Sequence, residues 1–328
     1  MHSEGCRRCA RGAVLTLFVT GRCPERTCFY CPLSAERRAA EHAIANERPV
    51  ESVEDVLAAA RRMDARGTAV TGGEPLAVLD RTCEYVDALV ADRGPDHHVH
   101  LYTGEPGDRD AFERLATAGL DEIRFHPPVS DWGDLRGGPW ERALDMAAEA
   151  GLRPAFEIPG IEYETEFIDL CTDGPAAFVN VNEFEVSAGN AAAMRAQGYS
   201  VADEGNRVEG FGEVLDRYRD HDVAFVCTSR FKDSAQHRNR MRRTAERVSR
   251  PFEEVTDDGT IVVGQTTADP GRLDRLGVPD EYYSVEGDTV ELAWWLLSEM
   301  VSDGDIESGS IVEVRPTVDR PVVERTPL

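Results

Sequence analysis

Five of the chain's 8 cysteines fall in its first 31 residues: Cys6, Cys9, Cys23, Cys28 and Cys31. The other three, Cys83, Cys171 and Cys227, are scattered. Eight cysteines in 328 residues are too sparse for a disulfide scaffold, and clustering of this kind reads first as metal binding. Cys23, Cys28 and Cys31 lie on one short stretch. Three thiolates there can bind three irons of a cubane cluster and leave the fourth iron open. Tyr30, just before the last cysteine, is placed to pack against a bound ligand. Zinc is the competing chemistry: Cys6-x2-Cys9, then eighteen residues, then Cys28-x2-Cys31 falls within a zinc-ribbon spacing. A ribbon needs two hairpin knuckles, however, and residues 13–20 between the pairs read as one strand. A ribbon would also leave Cys23 idle.

The elements that must carry this loop alternate. Short apolar, β-branched runs at 13–20, 68–71, 98–102, 122–125, 154–158, 177–181 and 223–227 predict strands. Helical spacing predicts helices at 53–66, 76–90, 110–118, 140–150, 164–171, 211–219 and 235–249. Such alternation implies βαβ units and a parallel sheet. Seven strands with single crossovers suit a partial (β/α) barrel better than an open doubly wound sheet. No G-x-G-x-x-G follows the first strand, which disfavours a nicotinamide-binding fold. After Pro251 the pattern changes: a turn at Asp258-Gly259, a strand at 260–263, an apolar helix at 289–300 with Trp294 and Trp295, and a strand at 310–314. The expected organisation is a cysteine-bearing segment at 1–11, the barrel at 12–250 and a small α+β extension at 251–328. In such a barrel the C-terminal ends of the strands form the working face, and the cysteine stretch leaves the first strand there.

Asp plus Glu number 61 and Lys plus Arg 36, a net charge of −25. Of the 36 basic residues only Lys232 is a lysine. An acidic chain repels nucleic-acid backbones, and this composition suits a salt-rich, halophile-like cytoplasm. No run of 18 apolar residues occurs, so no membrane span is expected. The polar residues 1–11 do not read as a signal peptide. A cytoplasmic enzyme is the expectation.

A second motif follows the second predicted strand: Thr71-Gly72-Gly73-Glu74-Pro75. Together with Cys23, Cys28, Tyr30 and Cys31 it resembles the radical S-adenosylmethionine (SAM) superfamily, whose loop is C-x3-C-x-aromatic-C. The spacing departs from that loop, because four residues separate Cys23 from Cys28. Residues 157–162 are similar to the superfamily's adenine-contacting segment. Cys28-Phe29-Tyr30-Cys31-Pro32-Leu33-Ser34, Ala45-Asn46-Glu47-Arg48-Pro49, Asp121-Glu122-Ile123-Arg124-Phe125-His126-Pro127 and Phe231-Lys232-Asp233 resemble an archaeal radical SAM family described as related to the pyruvate formate-lyase activating enzyme.

The resemblance implies a [4Fe-4S] cluster on Cys23, Cys28 and Cys31, with SAM held at the open iron. Reductive cleavage of SAM would give a 5′-deoxyadenosyl radical that abstracts hydrogen from a substrate. Gly72, Gly73, Glu74 and Pro75 would frame the methionyl end, the glycines by letting backbone approach it. Asn180 and Asn182 are candidates for the ribose, or caps of the following loop. The electron donor would be a reduced ferredoxin or flavodoxin. The substrate stays open between a glycyl-radical partner protein, a nucleic acid and a small molecule. The non-catalytic alternative is a zinc-binding interaction protein. Cys6 and Cys9 leave three readings: a mobile reducible pair, a zinc site with Cys171 and His221, or an auxiliary cluster, to which Cys227 adds only if the N-terminus folds back. Arg124 and His126 read as a carboxylate-holding pair or a structural salt bridge. Residues 230–250 hold eight basic residues, a solvated helix or an anion site.

Overall fold

A computed structural model of the chain describes residues 3–23, 28–203 and 205–328. They form two compact units, one through Arg61 and over Ala65–Ala235, the other made of Arg62–Asp64 and Gln236–Leu328.

In the first unit, helix α1 (Glu4–Ala10) precedes strand β1 (Val14–Phe18). Helix α2 (Ala35–Ala39) and strands β2 (Ala43–Ala45) and β3 (Arg48–Val50) follow. Helix and strand then alternate through α3 (Val53–Arg62), β4 (Gly67–Thr71), α4 (Leu79–Arg93), β5 (His98–Thr103), α5 (Arg109–Ala118) and β6 (Glu122–Phe125). The series continues with α6 (Pro139–Glu149), β7 (Arg153–Pro159), α7 (Thr165–Thr172) and β8 (Val179–Asn182). Helices α8 (Ala191–Ala196) and α9 (Gly212–Arg219) lead to β9 (Ala224–Cys227) and the short α10 (Ser229–Phe231).

The strands lie in the order β3-β2-β1-β4-β5-β6-β7-β8-β9. From β1 onward all neighbours are parallel, in chain order, which is the partial β/α barrel expected. The crossover helices bury one face each. In α5 Asp108 caps the start, Gly119 at φ 97° ends it, and Ala111, Phe112, Leu115 and Ala118 face inward. The antiparallel β2–β3 hairpin on the β1 edge was not expected. Its turn is carried by Asn46 at φ 53°, a conformation asparagine tolerates.

The barrel bore is lined by polar groups. Arg124 on β6 is 2% exposed. Its Nε donates to Glu122 (2.7 Å), Nη1 to Glu157 on β7 (2.9 Å) and Nη2 to Ser3 Oγ (3.0 Å). The Tyr102 and Phe178 rings each lie 5.4 Å from the guanidinium carbon. Burial opposes the Arg124 charge, but Tyr102, Glu157 and Glu122 hold its pKa up. Burial also pushes His98 down to about 4 and His100 well below its usual value, so both are neutral at pH 7.

Helix α1 forms the floor of this bore. Ser3 caps it, accepting from the Cys6 amide, while bonding Arg124. Arg8 donates to the carbonyls of Arg66 and Asp96, just ahead of β4 and β5. Gly5 is buried, and a Cβ there would lie 2.8 Å from both Arg124 Nη2 and His100 Nδ1. The sequence shows only a polar segment here, because a helix that docks on a polar bore needs no apolar stripe.

The second unit begins with α11 (Arg238–Val248), after a π-helical turn at Lys232–His237. It continues with β10 (Glu254–Val255), β11 (Ile261–Thr266), α12 (Pro270–Arg275), β12 (Tyr283–Glu286), β13 (Thr289–Leu292), α13 (Trp294–Ser302), β14 (Ser310–Val314) and β15 (Val322–Pro327). The antiparallel sheet runs β12-β13-β11-β14-β15, with β10 beside β11. Ala245 of α11 packs with Ile261, Val263, Val312 and Val314. The expected helix at 289–300 is corrected: residues 289–292 are strand, pairing with 283–286, and the helix starts at Trp294. Gly287 at φ 60° makes the hairpin turn, and Val290 and Leu292 are the alternate, buried positions.

Gly5→Val should weaken the floor. Arg124 is held by its partners and cannot yield freely, so the expected cost is about 1–3 kcal/mol, read as a lower urea midpoint by circular dichroism.

Candidate cofactor site

β1 and β4 deliver the two motifs side by side. β1 ends at Phe18 and the chain reaches Cys23, which is exposed. Pro24–Thr27, and with them the extra residue of the spacing, lie outside the described residues. Cys28 and Cys31 are half-buried, and the Cys31 amide donates to the Cys28 carbonyl at 3.0 Å. Among the described residues no three His, Cys, Asp or Glu side chains are gathered as a closed metal site. Three thiols on one loop beyond a parallel strand nevertheless form the right donor set for three cluster irons.

Gly72-Gly73-Glu74-Pro75 follows β4. The Gly73 amide donates to Thr20 O (2.6 Å) and the Glu74 amide to Arg22 O (2.7 Å). A Cβ on Gly72 would lie 2.6 Å from Thr20 O, and one on Gly73 would run into the Arg22 carbonyl. The glycines therefore serve the lead-in to the cysteine loop itself. At both glycines backbone packs on backbone.

Glu74 is 2% exposed. Its Oε1 accepts from the Leu76 amide (2.9 Å) and Thr103 Oγ1 (2.8 Å), and Oε2 from the Gly104 amide (2.8 Å). It thus ties the end of β4 to the end of β5. Burial pushes its carboxyl up to about 7, against the pull of these donors. Pro75 opens a 3-10 turn over Pro75–Val78.

Tyr30 is 8% exposed. Its hydroxyl lies 3.3 Å from His126 Nε2, and His126 Nδ1 lies 2.6 Å from Glu157 O. A carbonyl only accepts, so Nδ1 carries the proton and Nε2 accepts from the phenol. Burial lowers the His126 pKa and raises that of Tyr30. Arg124 is the structural salt bridge described above. Asn180 and Asn182 both donate through Nδ2 to Glu157 Oε1, at 2.7 and 2.6 Å. They meet on one carboxylate that the sequence reading placed only within the segment 157–162.

Family models match residues 17–169 as the Radical SAM superfamily and 259–328 as a Domain of unknown function (DUF8061). A Methanocaldococcus jannaschii protein named "Putative glycyl-radical enzyme activating enzyme" is 30% identical over 350 residues, 99% of this chain and 92% of that one. The chain belongs to the radical SAM superfamily. It is a radical SAM enzyme, and its cofactors are a [4Fe-4S] cluster and SAM. Among solved structures, coproporphyrinogen III oxidase (HemN) of Escherichia coli is 9% identical with a TM-score of 0.36, over 93% of this chain and 94% of that one. SuiB of Streptococcus suis is 14% identical with a TM-score of 0.41, over 66% of this chain and 49% of that one. Among the described residues no helix is long and apolar enough to cross a membrane.

In this radical SAM enzyme α1 closes the lower end of the bore. Cys6 and Cys9 on α1 sit within the electrostatic surroundings of Tyr102 and Cys227. Burial alone pushes the Cys171 thiol up to about 12, and His221 Nε2 is taken by Tyr163 OH at 2.7 Å. His221 is thus engaged with Tyr163. Four of the eight basic residues of the segment pair with carboxylates: Lys232 with Glu185 (2.7 Å), Arg242 with Glu246 (3.0 Å), Arg243 with Asp64 (2.6 Å) and Arg250 with Glu253 and Glu291.

The excursion between β8 and α9 went unseen in the sequence. Phe184, Met194 and Val208 pack with Tyr30, and Phe29 stacks on Tyr199 at 6.0 Å between ring centres. Its three aromatic residues, Phe184, Tyr199 and Phe211, are too widely spaced to mark a helix or a strand.

Glu74 generates a pH prediction. Its folded pKa lies above that of an unfolded glutamate, so between about 4.5 and 7 the folded state holds a proton the unfolded state has lost. Stability should therefore fall as pH rises through that window. The melting-temperature advantage of wild type over Glu74→Gln should shrink between about pH 5 and 8 by the equivalent of about 2–3 kcal/mol.

Proposed function

We propose that Cys23, Cys28 and Cys31 hold the cluster and that Gly72, Gly73, Glu74 and Pro75 frame SAM, in an activase that makes a glycyl radical on a partner protein. When bound, the cluster and SAM supply a 5′-deoxyadenosyl radical that removes a hydrogen atom from the substrate. What supports the site reading most is the pair of bonds from Gly73 and Glu74 to Thr20 and Arg22. They make the cysteine loop's lead-in and the GGEP turn one piece at the C-terminal ends of two parallel strands, the working face of such barrels.

The chain's own residues bind, orient and exclude water. Tyr30 covers the loop from the bore side, with its hydroxyl bonded to neutral His126. Glu74 keeps the ends of β4 and β5 in register without offering a charge outward. Asn180 and Asn182 present Glu157 at the head of the bore, where a polar part of SAM or substrate would meet it.

The activase reading rests on the name of the M. jannaschii relative. The pairing of Lys232, Arg242, Arg243 and Arg250 argues against a nucleic-acid substrate. The reductant is proposed to be a ferredoxin or flavodoxin, and the compartment a cytoplasm, as the acidic composition suits.

Reconstitution with iron and sulfide under anaerobic conditions tests this. Each of Cys23→Ala, Cys28→Ala and Cys31→Ala should abolish cluster absorbance and reductive SAM cleavage; full cleavage by Cys23→Ala would show the ligand set to be wrong. Gly73→Ala should lower iron content and SAM binding together, about tenfold or more, because its Cβ displaces the Arg22 carbonyl. A glycyl-radical electron paramagnetic resonance (EPR) signal should appear when the loaded enzyme meets its partner.

A further inference from the structure

Residues 183–190, between β8 and α8, are tied down at both ends. At one end Glu183 Oε2 accepts from the Ser229 amide (2.8 Å) and hydroxyl (2.9 Å), and Glu185 pairs with Lys232 (2.7 Å). These partners lie in the first turns after β9. At the other end the segment reaches the cysteine loop. Ser187 Oγ donates to Pro32 O at 3.0 Å. Gly189 lies so close to the Pro32 and Leu33 carbonyls that any Cβ would collide.

Between these contacts sits Asn190, 1% exposed. Its Nδ2 donates to Tyr30 O (2.9 Å) and Glu185 O (3.1 Å), and its Oδ1 accepts from the Ser187 amide (2.7 Å). Both amide hydrogens are therefore used, and one of them holds the peptide joining Tyr30 to Cys31. The Cys31 amide on that peptide bonds Cys28 O. A carbonyl pinned on one side and an amide pinned on the other fix the peptide plane. That plane sets where the Cys31 side chain leaves the backbone.

The structure assigns Asn190 as a positioning residue for the cluster: its amide donor holds the Tyr30 carbonyl and so aims Cys31, and through the shared turn Cys28, at the iron. This rests on the reading that Cys28 and Cys31 are ligands. The apolar packing of Phe184, Met194 and Val208 around Tyr30 holds the segment in place without Asn190. What Asn190 adds is direction, which a group coordinating iron needs and a packed side chain does not. Outer-sphere partners of this kind typically change metal affinity about 10–100-fold.

The test uses the full chain, reconstituted anaerobically, with iron release to an external chelator and the cluster's midpoint potential by EPR titration as readouts. Asn190→Asp keeps the size and the acceptor but loses the donor. Asn190→Ala loses the donor without adding a charge, so a failure of one variant to fold leaves the other to decide. Iron release is expected to quicken about 10–100-fold in both, with a shifted midpoint potential and near-wild-type circular dichroism. Ser187→Ala, which removes the neighbouring bond to Pro32, should release iron at the wild-type rate. Wild-type release from the folded Asn190 variants overturns the assignment, as does equal loss in Ser187→Ala, which would make the effect one of general anchoring. A cluster retained in Cys31→Ala would overturn the ligand reading and Asn190's role together. Its loss there, with wild-type release from the Asn190 variants, would overturn Asn190's role alone.

Discussion

A guanidinium sealed inside a barrel demands partners, and the bore is organised around that demand. An unpaired buried charge would be neutralised or would unfold its surroundings. Arg124 therefore draws in Glu122, Glu157 and Ser3, with the Tyr102 and Phe178 rings on its flanks. Each partner commits another element. Ser3 brings α1 to the floor. Glu157 collects Asn180 and Asn182 from β8, and its backbone carbonyl fixes the His126 tautomer. His126 accepts from Tyr30, which sits between two cysteines of the loop. A chain of polar contacts thus runs from the floor of the barrel to its working face.

On that face the decisive contacts are between backbones. Glycines at 72, 73 and 189 admit neighbouring carbonyls where any side chain would stand in the way. Two separate segments, the GGEP turn and residues 183–190, converge on the cysteine loop from opposite ends of the strand order. The described residues of the loop form no helix or strand, so their placement is borrowed from these neighbours. Asn190 and Glu74 play matching parts, each a buried side chain that ties main-chain groups together, Glu74 with the Thr103 hydroxyl besides.

Much of this architecture was legible in the residues. The seven parallel strands were found because each is a short apolar run with helical spacing between. The motifs led to the superfamily by resemblance, through a three-cysteine stretch after one strand and a Gly-Gly-Glu-Pro turn after the next. Three kinds of feature escaped. Helix α1 carries no apolar stripe, since its docking surface is charged. Strands β2 and β3 have three residues each, too few for alternation to register. At 289–292 an apolar stretch was continuous with the helix after it, and only the pairing with 283–286 reveals the strand. At the site the residue types were found but some of their neighbours were not. Asn180 and Asn182 donate to Glu157, and the glycines pack on the loop's own backbone, tertiary contacts that a linear reading does not show.

The floor helix also sets an order of assembly. α1 has seven residues, far below the length at which an isolated helix holds in water. It precedes the strands in the chain, yet Ser3 bonds a residue 121 positions later. The helix must wait, unstructured, until β4, β5 and β6 have been made and have curved into a barrel. Closing so long a loop is slow compared with the local pairing of neighbouring parallel strands. The sheet can therefore assemble with its lower bore still open to water, and the charges of Arg124, Glu122 and Glu157 can stay hydrated until the last moment. Docking of this preceding segment then becomes the final desolvating step, and residues made before the strands act as the latch on a barrel built after them.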